Sequence, residues 1–249
     1  MKRFFIMLVL LLSVVISGCS DKIAPKDLSP ATITIEDKAS TSANDRYEIE
    51  KASYTEKNVK ITYPQLNKLG DTSKQNKINQ LIQTEALGVL DNYKDNISNL
   101  DLNMEFEIKY QGTDYLSIQY RGLAVVKAVA YPVHLLHTTN IDLAKEKSLA
   151  LSDVVTVNNS FIEKFKASKY RTYSSDLNLE SAGALNDVLN SLGSNNLMDS
   201  FKQRTAEFYF TKDSLGVSVE VVHAVGDHME MEMAYKDLTG LLQLKPDLK

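Results

Sequence analysis

An α+β fold, with a mainly antiparallel sheet packed against one long helix and further helices inserted between the later strands, follows from three features of the sequence. The first is a helical stretch. Across residues 71–97, Ile78, Leu81, Ile82, Ala86, Val89, Leu90 and Tyr93 recur on one face at three- and four-residue steps. The second is strand alternation. Met104, Phe106, Ile108 and Tyr110 interleave with Glu105, Glu107 and Lys109, and Leu116, Ile118 and Tyr120 interleave with Ser117, Gln119 and Arg121. The turn Gln111-Gly112-Thr113-Asp114 between them makes a hairpin. The third is order: strands, helix, strands, helices, strands. Sequences that segregate their elements this way build antiparallel sheets with helices on one side.

The amino end has a different character. Lys2 and Arg3 precede 13 mostly apolar residues, 4–16, which end in Ile16-Ser17-Gly18-Cys19. A membrane-spanning helix needs about 20 such residues. A basic start, a short apolar run and small residues are instead the plan of an export signal. The stretch resembles the lipobox of bacterial lipoproteins, whose cysteine is thioether-linked to diacylglycerol before cleavage at its amino side. The resemblance implies that residues 1–18 are a lipoprotein signal peptide and that Cys19 is the lipid attachment residue. The protein would then sit at the cell membrane, lipid-anchored and facing outside the cytoplasm. Cys19 is the only cysteine, so one chain cannot form a disulfide, and burial alone must hold the fold. The formal charge is −4 and becomes −6 once Lys2 and Arg3 leave. An acidic chain argues against nucleic acid as partner and suits a basic protein.

The remaining elements follow in order. Residues 19–46, rich in Ser, Thr, Ala, Asp and Lys with Pro25 and Pro30, read as the lipidated cysteine and a flexible tether, with one short extended piece at 32–35. Such a tether spans roughly 25–30 Å. Residues 47–249 read as an α+β envelope domain, with sub-parts suggested at about 47–100 and 101–249. Two strands are expected in 47–61 around Glu56-Lys57-Asn58, with Val59, Ile61 and Tyr63 on one face and Pro64 ending the second strand. Asp71 or Thr72 can cap the long helix, and Gly88 costs it about 1 kcal/mol relative to Ala. Residues 122–138 read as one long or kinked strand with a break or edge at Pro132, and 139–143 as a short partner. Helical character starts at Ser152-Asp153. Residues 161–170 and 177–192 are helix candidates within a polar region. A hairpin is expected in 207–212 and 215–222 around Asp213-Ser214. Met229, Met231 and Met233 then alternate with Glu230, Glu232 and Ala234, and 235–242 closes as a short helix.

No complete catalytic constellation can be assembled. There is no Gly-x-Ser-x-Gly elbow, phosphate loop or dinucleotide glycine cluster, and Cys19 is committed to lipid. His134 and His137 fall on opposite faces of a strand, and His223 and His228 flank Gly226 as a turn pair. Neither pair makes a metal site by spacing. Glu105/Glu107 and Glu230/Glu232 are carboxylate pairs at i, i+2. A glycosidase could use carboxylates about 5–9 Å apart, but the alternation places both pairs on outward, solvated strand faces. The Met229, Met231 and Met233 stripe reads as core packing. The expectation is no catalytic residue, no metal and no cofactor, with the ligand-binding residues not identified.

Several segments in order carry a family resemblance: Tyr63-Pro64-Gln65-Leu66, Asn76-Lys77-Ile78-Asn79, Ser117-Ile118-Gln119-Tyr120, Asn140-Ile141-Asp142-Leu143, Leu149-Ala150-Leu151-Ser152-Asp153-Val154, Phe208-Tyr209-Phe210-Thr211-Lys212-Asp213, then Gly226 and Tyr235-Lys236-Asp237-Leu238. Together they resemble the two-part extracytoplasmic domain, long of unknown function, of lysozyme-sensing anti-sigma factors and of the non-catalytic module of peptidoglycan deacetylases. Residues 54–242 are covered. Two departures stand out. Ala130-Tyr131-Pro132 replaces an Ala-His-Pro, and Ala144-Lys145-Glu146-Lys147 stands where the family often has Thr-Gly-Lys. No cytoplasmic sigma-binding segment or deacetylase domain accompanies the chain, so neither activity is carried over. The resemblance implies a non-enzymatic binding or sensing domain with lysozyme or peptidoglycan as ligand. An envelope hydrolase built on surface carboxylates and a structural lipoprotein acting as an assembly partner are the alternatives.

Overall fold

The structure is a computed structural model that describes residues 47–127, 129, 131–172, 177–203, 205–244 and 246. Residues 1–46, on which the expected signal peptide, lipid-bearing Cys19 and tether fall, lie outside the described residues.

The chain starts with a hairpin of β1 (Glu48–Glu56) and β2 (Val59–Asn67), in which Lys57 takes φ +52° at the turn. Contrary to the sequence reading, β2 runs through Pro64. The backbone explains why. Leu66 gives its N–H to Asn79 Oδ1 at 2.7 Å and its C=O accepts from Asn79 Nδ2 at 2.9 Å, so Leu66 points away from β1. Pro64, two residues back, points the same way. The next strand pairs with β2 only at Val59, Lys60 and Ile61. Proline's missing donor therefore falls on an open side and costs no ladder bond.

Helix α1 (Thr72–Gly88) is capped by Asp71, whose Oδ1 accepts from Lys74 N at 3.0 Å. It ends at Gly88, and short 3₁₀ turns at Val89–Tyr93 and Ile97–Asn99 replace the expected final turns. Ile78, Ile82 and Ala86 are fully buried. Leu81, Val89, Leu90 and Tyr93, expected on the same face, are only partly buried at its margin.

Strands β3 (Leu100–Gln111), β4 (Tyr115–Val126), β5 (Val133–Asp142) and β6 (Lys147–Ser148) complete a six-stranded sheet in the order β1-β2-β3-β4-β5-β6. Only β2 and β3 are parallel, because α1 makes the crossover between them. The expected long strand over 122–138 is really two. β4 continues through Gly122 to Val126, the chain reverses, and β5 takes up the rest, including residues 139–142. The suggested division near residue 100 does not part the sheet, since β2 pairs with β3 across it.

The second half carries α2 (Leu151–Val154), α3 (Asn159–Lys166), β7 (Lys169–Arg171), α4 (Leu185–Ser191), α5 (Ser194–Lys202), β8 (Glu207–Phe210), β9 (Ser214–Glu220) and β10 (His228–Ala234). The four strands form an antiparallel sheet in the order β7-β10-β9-β8. Where a helix over 177–192 was expected, Asn178 Oδ1 accepts from Glu180 N and Ser181 N, and Gly183 takes φ +71°. That local turn delays the helix to Leu185. The closing residues form a 3₁₀ turn, Tyr235–Leu238.

Two cores result. One packs α1 on β1–β5 around Ile61, Ile78, Ile82, Met104, Ile118 and Tyr120. The other packs α3 and α5 on the second sheet, where Phe161, Phe165 and Phe201 meet the buried stripe of Met229, Met231 and Met233. Among the described residues no helix is long and apolar enough to cross a membrane.

Candidate functional site

The first sheet has one face on α1 and another that carries Ser117, Gln119, Arg121, Leu123 and Val125 of β4 in alternation. The second sheet covers only part of this other face. Where it covers, the contact is polar. Glu230 of β10 is 4% exposed. It accepts from Gln119 Nε2 at 2.6 Å, from Arg121 Nη2 at 3.0 and 3.1 Å, and from Tyr209 Oη at 3.1 Å. Tyr209 Oη also lies 3.0 Å from Glu232, which pairs with Arg171. Burial first, then the nearby Glu230 and Glu232, push the Tyr209 hydroxyl far up, so it stays protonated and serves as donor. Its ring lies beneath Lys109 Nζ, 4.7 Å from the centroid. The same ring comes so near Gly216 that a Cβ there would sit 2.1 Å from it. The sequence reading placed Glu230 and Glu232 on a solvated face. That is corrected: the face is the seam between sheets. Alternation shows which residues share a face but not what lies over it.

The seam also closes sheet edges. The free side of β8 donates Phe208 N to Thr138 Oγ1 at 3.2 Å and Phe210 N to Ser117 Oγ at 3.0 Å, while Phe208 O accepts from Asn140 Nδ2 at 2.6 Å. Glu207 caps the open side of β5, accepting from Thr138 N at 2.7 Å, from Thr138 Oγ1 at 2.6 Å, and pairing with His137 Nδ1 at 2.8 Å. Burial alone would raise the Glu207 carboxyl. The charge and hydrogen bond of His137, with both Thr138 bonds, outweigh it and hold the carboxyl below its usual range. For His137, burial lowers and Glu207 raises, with a net upward shift.

Beyond the second sheet the face is open. Asp101, Asn103, Glu105 and Glu107 of β3 are exposed in a row. Beside them on β4 stand Leu123, 40% exposed, and Val125, 38% exposed. Register puts Asp101 opposite Val125, Asn103 opposite Leu123 and Glu105 opposite Arg121. The strip runs into the turn between β4 and β5, where Val129, Tyr131 and Val133 are exposed, and meets Val222 from the β9–β10 connection at 71% exposure. Isolated exposed apolar residues are ordinary. Val133 pairs with Ala124 and so belongs to the α1 face, but the other five gathered at one end mark an interaction surface.

Three histidines rim this end. Asp227 sits in the left-handed region at φ +67° and holds two of them. Its Oδ2 accepts from His134 N at 2.8 Å and lies 3.2 Å from His134 Nδ1, while its Oδ1 lies 2.9 Å from His223 Nδ1. Burial would raise the Asp227 carboxyl, but these bonds hold it below the usual range. The His223 ring packs against Tyr131 at 5.4 Å and ties the two loops together. His228 is pushed down by burial, against the pull of Glu220, Glu207 and Asp227. The neighbouring Gly226, at φ +108°, leaves room for Leu177 where a Cβ would collide at 2.2 Å. Among the described residues no group of His, Cys, Asp and Glu has the geometry to hold a metal ion. His134 and His137 go to different carboxylates. The sequence reading left the binding residues unidentified. The break at Pro132 was the one signal that a turn with apolar flanks lay there.

No protein-family profile matches the sequence, and no curated protein matches it. Solved structures do. A DUF3298 family protein from Pseudomonas aeruginosa PAO1 aligns with TM-score 0.50 at 12% identity, covering 88% of this chain and 97% of its own. A DUF3298 member from Bacteroides fragilis aligns with TM-score 0.48 at 13% identity, covering 86% and 95%. The first of these shows a shared fold.

Proposed function

We propose that the protein is a lipid-anchored, extracytoplasmic binding or sensing domain of the bacterial envelope, non-enzymatic, with a lysozyme-like protein as first ligand candidate and peptidoglycan as the second. The observation that carries this reading is the open strip. An acidic row, Asp101, Glu105 and Glu107, runs beside exposed Leu123 and Val125 and leads to Tyr131 and Val222. A basic protein would meet the acidic row first through long-range attraction, and the apolar residues would then be desolvated in contact. The strip lies at the far end of the sheet from the start of the described chain. Tyr47 Oη donates to Gly112 O in the β3–β4 turn, so the 12-residue β4, about 40 Å long, separates the start from the apolar end. Glu105 and Glu107 stand on an open face, without the enclosed pocket a general acid needs.

The test is calorimetric titration of the full chain with lysozyme at low and moderate salt, beside a peptidoglycan turnover assay. Binding should weaken with salt and be lost in Leu123→Asp and Tyr131→Asp variants. No binding at either salt level would remove lysozyme as ligand. Turnover that disappears in Glu105→Gln would replace this reading with a hydrolase.

A further inference from the structure

A small pocket opens where β1, β2 and the first half of α1 meet. Its volume is about 210 Å³, and Glu50, Gln65, Asn67, Gln75 and Asn79 give it a polar lining around buried Ala52. Glu50 stands opposite Gln65 in the hairpin, so Glu50, Ala52, Gln65 and Asn67 share one strand face. Lys51 borders the pocket, but alternation sends its side chain to the other face. Asn79 is fixed at both ends by the Leu66 backbone. The others are tied at one end and open at the other. Asn67 Oδ1 accepts from Lys68 N at 2.8 Å, and one Nδ2 hydrogen goes to Glu50 Oε1 at 2.7 Å. Gln75 Oε1 accepts from Leu69 N at 3.0 Å, and Gln65 Nε2 reaches Asn79 O at 3.3 Å. Glu50 Oε2 and Gln65 Oε1 are left as acceptors, Gln75 Nε2 and the second Asn67 Nδ2 hydrogen as donors. None of these four has a partner among the described residues.

Acceptors and donors mixed in so small a space match neighbouring hydroxyls, each of which donates one hydrogen and accepts on the same oxygen. An anion would meet the Glu50 carboxylate, and a cation would leave Gln75 and Asn67 unanswered. The volume lies below the roughly 300–1,000 Å³ of drug-sized sites, so one ring fits and little more. We propose that this pocket binds a single sugar ring through its adjacent hydroxyls, either a free monosaccharide or the terminal unit of a glycan. Each side chain is already held at one end, so binding freezes little rotamer freedom. Among the described residues no aromatic ring lines the pocket. Affinity then comes from hydrogen bonds exchanged with those to water, and a Kd on the order of 1 mM is expected. The pocket lies toward the end of the first sheet where Tyr47 Oη meets Gly112 O, away from the exposed apolar strip. The inference therefore does not rest on lysozyme as ligand, and either site can fail alone.

The experiment is an NMR titration of the full chain with glucose, N-acetylglucosamine and a soluble N-acetylglucosamine oligomer, with glycine and acetate as charged controls. Expected are saturable shifts confined to the backbone amides of residues 50–52, 65–69 and 75–79 and to the side-chain amides of Gln75 and Asn67. Two variants keep the internal bonds and change only the open atoms. Glu50→Gln retains an acceptor for Asn67 Nδ2, and Gln75→Glu retains one for Leu69 N. Each turns the open atom from acceptor to donor or the reverse and should weaken sugar binding at least about fivefold. An oligomer that binds about tenfold tighter than the monosaccharides would identify a glycan end, and equal affinity a free sugar; both uphold the pocket. Shifts that fail to saturate by about 100 mM with every sugar would overturn the proposal. So would variants that bind as the parent does, or glycine or acetate moving these amides where the sugars do not.

Discussion

Two glutamate pairs with the same spacing meet opposite fates. Glu105 and Glu107 on β3 stand in water, whereas Glu230 is buried and Glu232 nearly so in the seam between the sheets. Each pair alternates with apolar residues packed on the far side of its strand, so the local patterns are equivalent. The difference lies in which part of the first sheet's polar face the second sheet covers. A covered carboxylate must have each lone pair satisfied, and Glu230 does so with Gln119, Arg121 and Tyr209. The uncovered pair is solvated: Glu105 faces water, and Glu107 faces water while pairing with Lys109 Nζ at 3.3 Å. One alternating pattern thus yields a structural clamp in one place and a recognition surface in the other.

The sharpest way to break that contrast is Glu230→Ala. It removes the buried acceptor that Gln119, Arg121 and Tyr209 share, leaving Tyr209 with Glu232 and Arg121 with Gln119. Removing one member of a buried ion pair costs about 3–5 kcal/mol, and Arg121's partial exposure places this case at the lower end. Urea unfolding should show a lower midpoint at unchanged slope. A loss no larger than that of Glu105→Ala would mean that water, not Glu230, satisfies the seam.

The apolar core offers the second test. Ile82 is fully buried, and Ile82→Ala should cost about 2–5 kcal/mol. Leu81→Ala, at the half-buried margin, should cost clearly less. Equal losses would show that α1 is rotated from the position described. This is also where sequence and structure meet most closely. The 3.6-residue period located α1, and period-2 alternation located β3, β4, β9 and β10. What periodicity could not see is informative. Pro64 is tolerated because the neighbouring strand diverges, a fact of tertiary pairing. The turn between β4 and β5 was hidden because apolar residues continue through it. Those are the residues left exposed at the apolar end, so the candidate surface was concealed by the composition that makes it one. The second sheet's place over Gln119 and Arg121 depends on contacts more than a hundred residues apart, beyond any local pattern.

At the rim the expected effects are smaller. Asp227→Asn weakens the acceptor of the His134 and His223 bonds and should cost about 1–2 kcal/mol at neutral pH. The sign of its pH dependence follows from the lowered Asp227 carboxyl. A depressed folded value gives stability that is fully present above the unfolded value, near 3.9, and is lost as pH falls through the folded one. The gap between parent and variant should therefore stay flat from pH 7 to about 5 and close at still lower pH. Midpoints of urea unfolding across that range check it. A gap that already closes between pH 7 and 5 would show that the Asp227 carboxyl is not held below its usual range.

The smallest structural effect should accompany a distinctive functional one. Glu105→Gln with Glu107→Gln neutralises part of the open acidic row and leaves the clamp untouched. Exposed substitutions of this kind change stability by no more than about 0.5 kcal/mol, so melting should barely move. Surface charges act chiefly on encounter. With lysozyme as the probe, the double variant should associate several-fold more slowly at low salt, while its dissociation rate stays near that of the parent. Raising the salt should bring the two association rates together, since screening acts over roughly 8 Å at physiological ionic strength. Leu123→Asp should behave in the opposite sense, speeding dissociation by removing apolar contact while the added acidic charge leaves encounter intact. Stopped-flow or biosensor kinetics separate the two rates. If the double variant associates as fast as the parent at low salt, the acidic row does not face the partner, and the difference between the two glutamate pairs would be one of burial alone.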